Sequence, residues 1–156
     1  MEYATQFFGA IQSGDKNQIE HLLKLHPELV STKDARGFTP LIFAAYFDKI
    51  DIVETLLSHK APVNATDASG NTALIGVAFK GNIHLAQLLL KYGATINAQN
   101  NLGYTPLIFA AMYGQTKMVE LLLRHNADTA IKDNEGKLAL EYAKNKGFTD
   151  VVDLLK

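Results

Sequence analysis

The stretch Thr105-Pro106-Leu107-Ile108-Phe109-Ala110-Ala111 repeats, letter for letter, a stretch that lies 66 residues earlier, Thr39-Pro40-Leu41-Ile42-Phe43-Ala44-Ala45. A degraded copy at 72–78 lies halfway between them, and a weaker echo at 138–143 follows a further 33 residues along the chain. Recurrence at a fixed period of this size is typical of stacked structural repeats. The sequence therefore predicts a chain built from similar units that pack one on the next.

Each unit opens with residues suited to a tight turn. An Asp or Asn stands three residues before a Gly at four places: Asp34 and Gly37, Asp67 and Gly70, Asn100 and Gly103, Asp133 and Gly136. The Asx side chain can accept hydrogen bonds from backbone amides within the turn, and glycine adopts positive φ without a Cβ clash. These pairs predict four turns of the same form.

A short first helix is predicted after each turn. Thr39, Thr72 and Thr105 can cap the first amides of a helix, and in two units the next residue is Pro, which has no amide to leave unpaired. The four first helices are expected to stop, in chain order, near Asp48, Gly81, Gly114 and Gly147.

A second helix is predicted behind each first one. Apolar residues recur there at helical spacing over 52–57, 85–90, 118–123 and 151–155. Three of these helices are expected to end at a left-handed residue, namely Lys60, Gly93 and Asn126. Lysine is the poor fit among the three, because its Cβ opposes positive φ.

These motifs resemble the ankyrin repeat, whose signature is D-x-x-G-x-T-P-L-H-x-A-A-x-x-G with a second helix that ends in G-A-D-x-N. The matches cover nearly the whole chain and include 103–107, Gly-Tyr-Thr-Pro-Leu, and 93–97, Gly-Ala-Thr-Ile-Asn. The resemblance implies an all-α solenoid of paired antiparallel helices joined by β-hairpin-like loops. The His of the signature is replaced here by Ile42, Ile75, Ile108 and Glu141. We expect apolar packing to take the place of its hydrogen bonds.

We expect a single domain, 1–156, of about five repeats including its caps. The full repeats are predicted at 34–66, 67–99 and 100–132, with a C-terminal cap at 133–156 that lacks the Thr-Pro entry.

The N-terminal cap is predicted at 1–33. It is expected to contain a helix over 3–13, a turn at Gly14-Asp15 and a second helix whose inner face carries Ile19, Leu22 and Leu23. The Gly-Asp phrase and residues 27–30, Pro-Glu-Leu-Val, are similar to first repeats of small stand-alone bacterial ankyrin proteins.

The composition argues against several classes of partner. The chain has 15 Lys and Arg against 16 Asp and Glu, whereas a nucleic-acid surface needs clustered cations. No apolar run approaches the length of about 18 residues that a membrane span requires, and the acidic start is unlike a secretory signal. We therefore expect no nucleic acid and no membrane as partner. The chain contains no Cys, which suits a reducing cytoplasm.

The candidate catalytic and metal-binding residues favour structural roles. His59 and His125 occupy the same site two repeats apart, which places them roughly 20 Å from each other if helices pack at the usual spacing, too far to share a metal. The aspartates recur at the turn position, so we expect them to hold turns rather than to act on a substrate. Gly76 and Gly81 have the spacing of a phosphate loop, but the Lys and the Ser or Thr that should follow are missing. We expect neither an enzyme nor a cofactor or metal.

The resemblance implies that the hairpin tips and first helices line a concave face, where variable positions contact partners. Carried over residue by residue, the expected partner-binding set is Arg36, Phe38, Tyr46, Phe47, Asn71, Phe79, Lys80, Leu102, Tyr104, Met112, Tyr113 and Lys137. Tyr, Phe, Met and Arg are enriched in interface cores. Phe43 and Phe109, one turn further in, are expected in the core.

The predicted function is non-catalytic recognition of a protein partner by a monomer. Two alternatives use the same face: inhibition of a partner enzyme, as in some small ankyrin proteins, and self-association into a homo-oligomeric scaffold. In a third interpretation these aromatic residues serve scaffold packing alone.

Overall fold

The computed structural model describes residues 2–156, and over this range it is all-helical, with ten α-helices, one 3₁₀ helix and no strand. The α-helices in chain order are α1 Glu2–Ser13, α2 Lys16–Leu25, α3 Pro40–Tyr46, α4 Ile50–Ser58, α5 Ala73–Lys80, α6 Ile83–Lys91, α7 Pro106–Met112, α8 Thr116–Arg124, α9 Ala139–Lys146 and α10 Thr149–Leu155. The 3₁₀ helix, Pro27–Ser31, follows α2 and buries Leu29 and Val30. The predicted solenoid of helix pairs is confirmed.

The four predicted turns share one hydrogen-bond pattern. Asp34 accepts the amides of Arg36 and Phe38 on Oδ1, each at 2.9 Å. Asp67, Asn100 and Asp133 accept the amides two and four residues on in the same way. A backbone bond such as that from the Asp34 amide to the Phe38 carbonyl, at 2.9 Å, closes each loop like a small hairpin. The prediction that these Asx side chains hold turns is confirmed.

Neighbouring turns stack closely enough to require glycine. Gly37 has φ 82°, and a Cβ built on it would lie 2.8 Å from the backbone nitrogen of Ala68 in the next turn. Further along, the Asn101 amide donates to the Ser69 carbonyl and the Asn134 amide to the Leu102 carbonyl, both at 3.0 Å. A side chain at the glycine would separate the turns as well as strain the backbone.

The first helices begin where the sequence predicts. The hydroxyl oxygens of Thr39, Thr72 and Thr105 accept the amide three residues on, at 3.1 to 3.2 Å, and all three threonines are buried. The residues in the signature His position, Ile42, Ile75 and Ile108, are buried too, so apolar packing does replace the family histidine there. Glu141, by contrast, is exposed and accepts the Leu138 amide at the start of α9.

The helices form two layers with the core between them. First helices pack along the chain, α3 on α5, α5 on α7 and α7 on α9, and second helices do the same from α4 to α10. One apolar cluster runs through the interfaces from Phe7 in α1 to Leu155 in α10. It includes Ile19, Leu22 and Leu23, the inner face predicted for α2. Since each helix pair is covered mainly by its neighbours, the layers are held together along their whole length.

Within residues 2–156, three residues other than glycine adopt positive φ, and the sequence predicts a helix end at each of them. They are Asp48, Lys60 and Asn126, with φ of 57°, 67° and 66°. Asp48 is held by Asn82 Nδ2 at 3.1 Å and Lys80 Nζ at 3.0 Å. Lys60 is exposed just after α4, and its left-handed backbone carries the cost of a Cβ.

We therefore predict that Lys60→Gly raises the free energy of unfolding by about 0.5–1 kcal/mol, because glycine removes the left-handed penalty. Chemical denaturation of the two proteins measures the difference. Glu54→Gly, at an exposed position inside the same helix, is the matched control and should lose about 1 kcal/mol. An unchanged or lower stability of Lys60→Gly would contradict the prediction.

Candidate functional site

The partner-binding residues predicted from the sequence lie on the turns, on α3, α5 and α7, and directly after α3 and α7. We call this surface the first-helix face. Its most exposed apolar side chains are Tyr46 at 52%, Phe47 at 39%, Phe79 at 43%, Leu102 at 59% and Tyr113 at 49%. Arg36 and Lys80 are exposed as well. The remaining members of the set are half-buried: Phe38, Asn71, Tyr104, Met112 and Lys137.

Aromatic rings on this face pack into two groups. In the first, Tyr46 contacts Phe38 with ring centroids 5.8 Å apart and Phe47 at 5.1 Å, and the Arg36 guanidinium lies 4.4 Å from the Phe38 centroid. These contacts fix the rings in place, because each aromatic side chain is held by at least one other.

The second group belongs to α5 and α7. Phe79 contacts Tyr113 with centroids 4.6 Å apart, and Phe109 lies 5.9 Å from Phe79 and 5.0 Å from Tyr104. The exposed rings therefore rest on half-buried ones rather than standing alone in solvent.

A pocket of about 280 Å³ opens between the two groups. Its walls are mostly apolar, and the polar residues that line it are Asp67, Asn71, Thr72 and Lys80. The other lining residues are Phe38, Ile42, Ala45, Tyr46, Ala73, Gly76, Val77, Phe79 and Phe109. A mostly apolar concavity with a few polar groups is the usual form of a binding site.

The pocket exists because Gly76 has no side chain. Phe43, Phe109 and Tyr142 stand at the same repeat position, nine residues after the turn Asx, so Gly76 is a gap in a column of aromatic residues. The phosphate-loop spacing of Gly76 and Gly81 does not predict this pocket. The sequence does contain a signal for it, because the other three units have an aromatic residue at the position of Gly76.

The gap also corrects one expectation about the core. Phe43 is 5% exposed and belongs to the core, as predicted. Phe109 is only half-buried, so its prediction as a core residue is wrong. The reason is that Phe109 borders the pocket over Gly76, where no side chain covers it.

Charges on the first-helix face are largely neutralised by local partners. Arg36 pairs with Asp34 at 2.8 Å, Lys80 with Asp48 at 3.0 Å and Lys137 with Glu135 at 3.4 Å. Burial alone would raise the pKa of Asp34, but hydrogen bonds from Arg36 and from the turn amides outweigh it and lower the pKa. Burial likewise raises the pKa of Asp48, but the hydrogen bonds from Asn82 and Lys80 outweigh it and leave that pKa lowered.

Tyr142 and Asp133 form a hydrogen bond at the fourth Asx turn. The Tyr142 hydroxyl donates to Asp133 Oδ2, while Oδ1 of the same carboxylate holds the turn. Burial raises the pKa of Asp133, but the bonds from Tyr142 and the turn amides leave that pKa below its ordinary value. Burial and the bond to Asp133 together raise the pKa of Tyr142.

Among residues 2–156, no three His, Cys, Asp or Glu side chains come together in a way that could hold a metal ion. His59 and His125 are exposed in separate helix pairs. Across the same part of the chain, no helix combines the length and apolar character needed to cross a membrane.

The layered helix pairs and their Asx turns define a helical repeat protein. A family model described as "Ankyrin repeats (3 copies)" matches residues 7–100 and again residues 76–156. Because the matches take in most of the sequence, the chain belongs to the ankyrin-repeat family. Ankyrin repeats are in general protein–protein interaction modules, and the family is typically non-catalytic. The chain matches no curated protein.

The lowered pKa of Asp133 predicts a loss of stability in acid. Below the ordinary aspartate pKa of 3.8, the unfolded chain takes up a proton before the folded one does. The stabilisation is therefore complete above 3.8 and disappears as the pH falls through the lower folded pKa. We predict that Asp133→Asn, which keeps a turn side chain already used at Asn100, loses less stability than wild type between about pH 5 and pH 2.

Urea denaturation at several pH values measures this difference. Glu120→Gln, at an exposed position on α8, is the control and should follow the wild type. An acid loss in Asp133→Asn as large as that of the wild type would show that the Asp133 bonds do not stabilise the fold.

Proposed function

We propose that this protein is a non-catalytic binding module whose first-helix face docks onto a protein partner. The observation that supports this most strongly is the cluster of exposed aromatic side chains on that face, with Tyr46 and Tyr113 each about half accessible. A large exposed apolar patch commonly marks an interaction site, and Tyr is among the residues that dominate interface energetics.

We infer that Tyr46, Phe47 and Tyr113 are the anchors and that the half-buried Tyr104 and Met112 add to the same contact surface. Ring contacts such as Phe79 with Tyr113 at 4.6 Å hold the anchors before a partner arrives. Pre-organised side chains lose little conformational entropy on binding, so more of the contact energy contributes to affinity. Arg36, Phe38, Asn71, Phe79, Lys80, Leu102 and Lys137 complete the proposed contact set.

The non-catalytic assignment is supported by the state of the turn aspartates. Asp34 is bound by two amides and by Arg36, and Asp133 by two amides and by Tyr142. We also propose the repeat boundaries given above, a monomer without cofactor, and a cytoplasmic location consistent with the lack of Cys. Paired charges favour a partner that is neither nucleic acid nor a membrane surface.

The proposal is tested by capture from a lysate of the source organism with wild type and with Tyr46→Ala/Tyr113→Ala. The double variant should reduce capture of a specific partner at least about tenfold, because it removes two anchors. Tyr92→Ala is the matched control: Tyr92 is 39% exposed, but it lies at the end of α6 in the second layer. This variant should capture as the wild type does, and circular dichroism confirms that all three are folded.

The same experiment separates the alternatives. Equal capture by wild type and the double variant, with loss in Tyr92→Ala, would move the interface to the second layer and overturn the proposal. Inhibition of a captured enzyme's turnover would identify an inhibitor rather than a passive adaptor. Recovery of the chain itself, with a concentration-dependent mass in solution, would identify self-association.

A further inference from the structure

The unit that starts at Asp133 shows how an aromatic ring fills the site that Gly76 leaves open. Tyr142, nine residues after Asp133, donates its hydroxyl to Asp133 Oδ2. The Tyr142 ring meets Tyr104 of the preceding turn edge-on with centroids 6.1 Å apart, and the Lys137 ammonium lies 5.6 Å from the ring centroid. The hydroxyl is thus bound within its own repeat, and the ring packs on the preceding one.

The corresponding residues two repeats earlier in the stack line the pocket. In repeat register, Asp67 corresponds to Asp133, Phe38 to Tyr104 and Asn71 to Lys137, and all three border the pocket beside Gly76. A Cβ built on Gly76 meets nothing within 4 Å. The pocket therefore has the walls of a tyrosine-ring site, but the chain supplies no ring to fill it. Phe109 is an additional wall.

Among the three turn aspartates, Asp67 has the weakest hydrogen bond on Oδ2, the carboxylate oxygen that does not hold the turn. Asp34 Oδ2 accepts Arg36 Nη2 at 2.8 Å, and Asp133 Oδ2 accepts the Tyr142 hydroxyl. Asp67 Oδ2 has a hydrogen bond from Asn71 Nδ2 at 3.4 Å, longer than the usual range. A carboxylate oxygen beside an apolar pocket would gain from a stronger donor.

We propose that the pocket takes a tyrosine side chain of the protein partner, with the ring between Phe38 and Phe109 and the hydroxyl donating to Asp67 Oδ2. This inference rests on the proposed function and names the group that the partner presents. The apolar walls favour a ring, and the carboxylate favours tyrosine over phenylalanine. Lys80, exposed among the lining residues, disfavours a cationic side chain, and Asp67 disfavours a phosphorylated tyrosine.

The direct test is a titration followed by NMR, with N-acetyl-tyrosinamide as probe. We expect saturable shifts of the amides of Asn71, Gly76 and Phe109, and an affinity about tenfold higher than that of N-acetyl-phenylalaninamide. The corresponding phosphotyrosine amide should not bind. Shifts confined to another surface, or equal affinities for the tyrosine and phenylalanine amides, would overturn the proposal.

Two variants locate the ring and the hydroxyl separately. Gly76→Tyr supplies the ring from within the chain and should abolish probe binding without lowering the melting temperature. Asp67→Asn preserves the turn, as Asn100 does in the next unit, but removes the acceptor, so the preference for tyrosine over phenylalanine should vanish. Undiminished binding by Gly76→Tyr would contradict the site. If that variant does not fold, Asp67→Asn decides the outcome.

A further comparison identifies the source of the phenol. Binding of p-cresol without binding of N-acetyl-tyrosinamide would show that the pocket admits free phenols and not a side chain carried by a polypeptide, which overturns the proposal. These titrations need only the purified chain, so their failure leaves a capture result on Tyr46 and Tyr113 untouched. Conversely, failed capture with a positive titration would remove the first-helix docking and leave a phenol-binding pocket.

Discussion

The structure depends on one repeated interaction, the Asx side chain that accepts two backbone amides at the start of each unit. At Asp34, Asp67, Asn100 and Asp133 the same oxygen holds the amides two and four residues on. These bonds make the turn compact enough for the next turn to stack on it. They also fix the direction in which the chain enters the first helix. The first helices therefore start in equivalent places, which brings equivalent residues into columns along the stack.

These columns of equivalent residues account for both the stability of the stack and the residue composition of its surface. Buried positions such as Ile42, Ile75 and Ile108 carry the same residue in successive units, because each packs in nearly the same surroundings. Outward positions carry different residues, so the first-helix face acquires its own chemistry without disturbing the core. Gly76 lies at a position between these two kinds, neither fully buried nor fully exposed. It interrupts an aromatic column in which Phe43 is buried and Phe109 and Tyr142 are half-buried. Phe109 and Val77 are among the residues that line the space it leaves.

Much of this architecture could be predicted from the sequence because it depends on local chemistry repeated at a fixed period. The Asx turns, the Thr caps and the left-handed residues at Asp48, Lys60 and Asn126 are properties of a few adjacent residues. The pocket, the exposure of Phe109 and the bond from Tyr142 to Asp133 depend on which side chains meet across units. Such contacts require the columns to be compared position by position, and a missing side chain is easily overlooked in a search for chemical groups.

The central claim is that repeat register makes the pocket at Gly76 equivalent to the site that Tyr142 fills. A crystal structure of the Gly76→Tyr variant tests this most directly. We predict that the introduced ring occupies the pocket between Phe38 and Phe109, with its hydroxyl within hydrogen-bonding distance of Asp67 Oδ2 and with α5 and α7 unmoved. A ring turned out to solvent, or a displaced α7 with the pocket still empty, would show that the columns are not equivalent and would contradict the account.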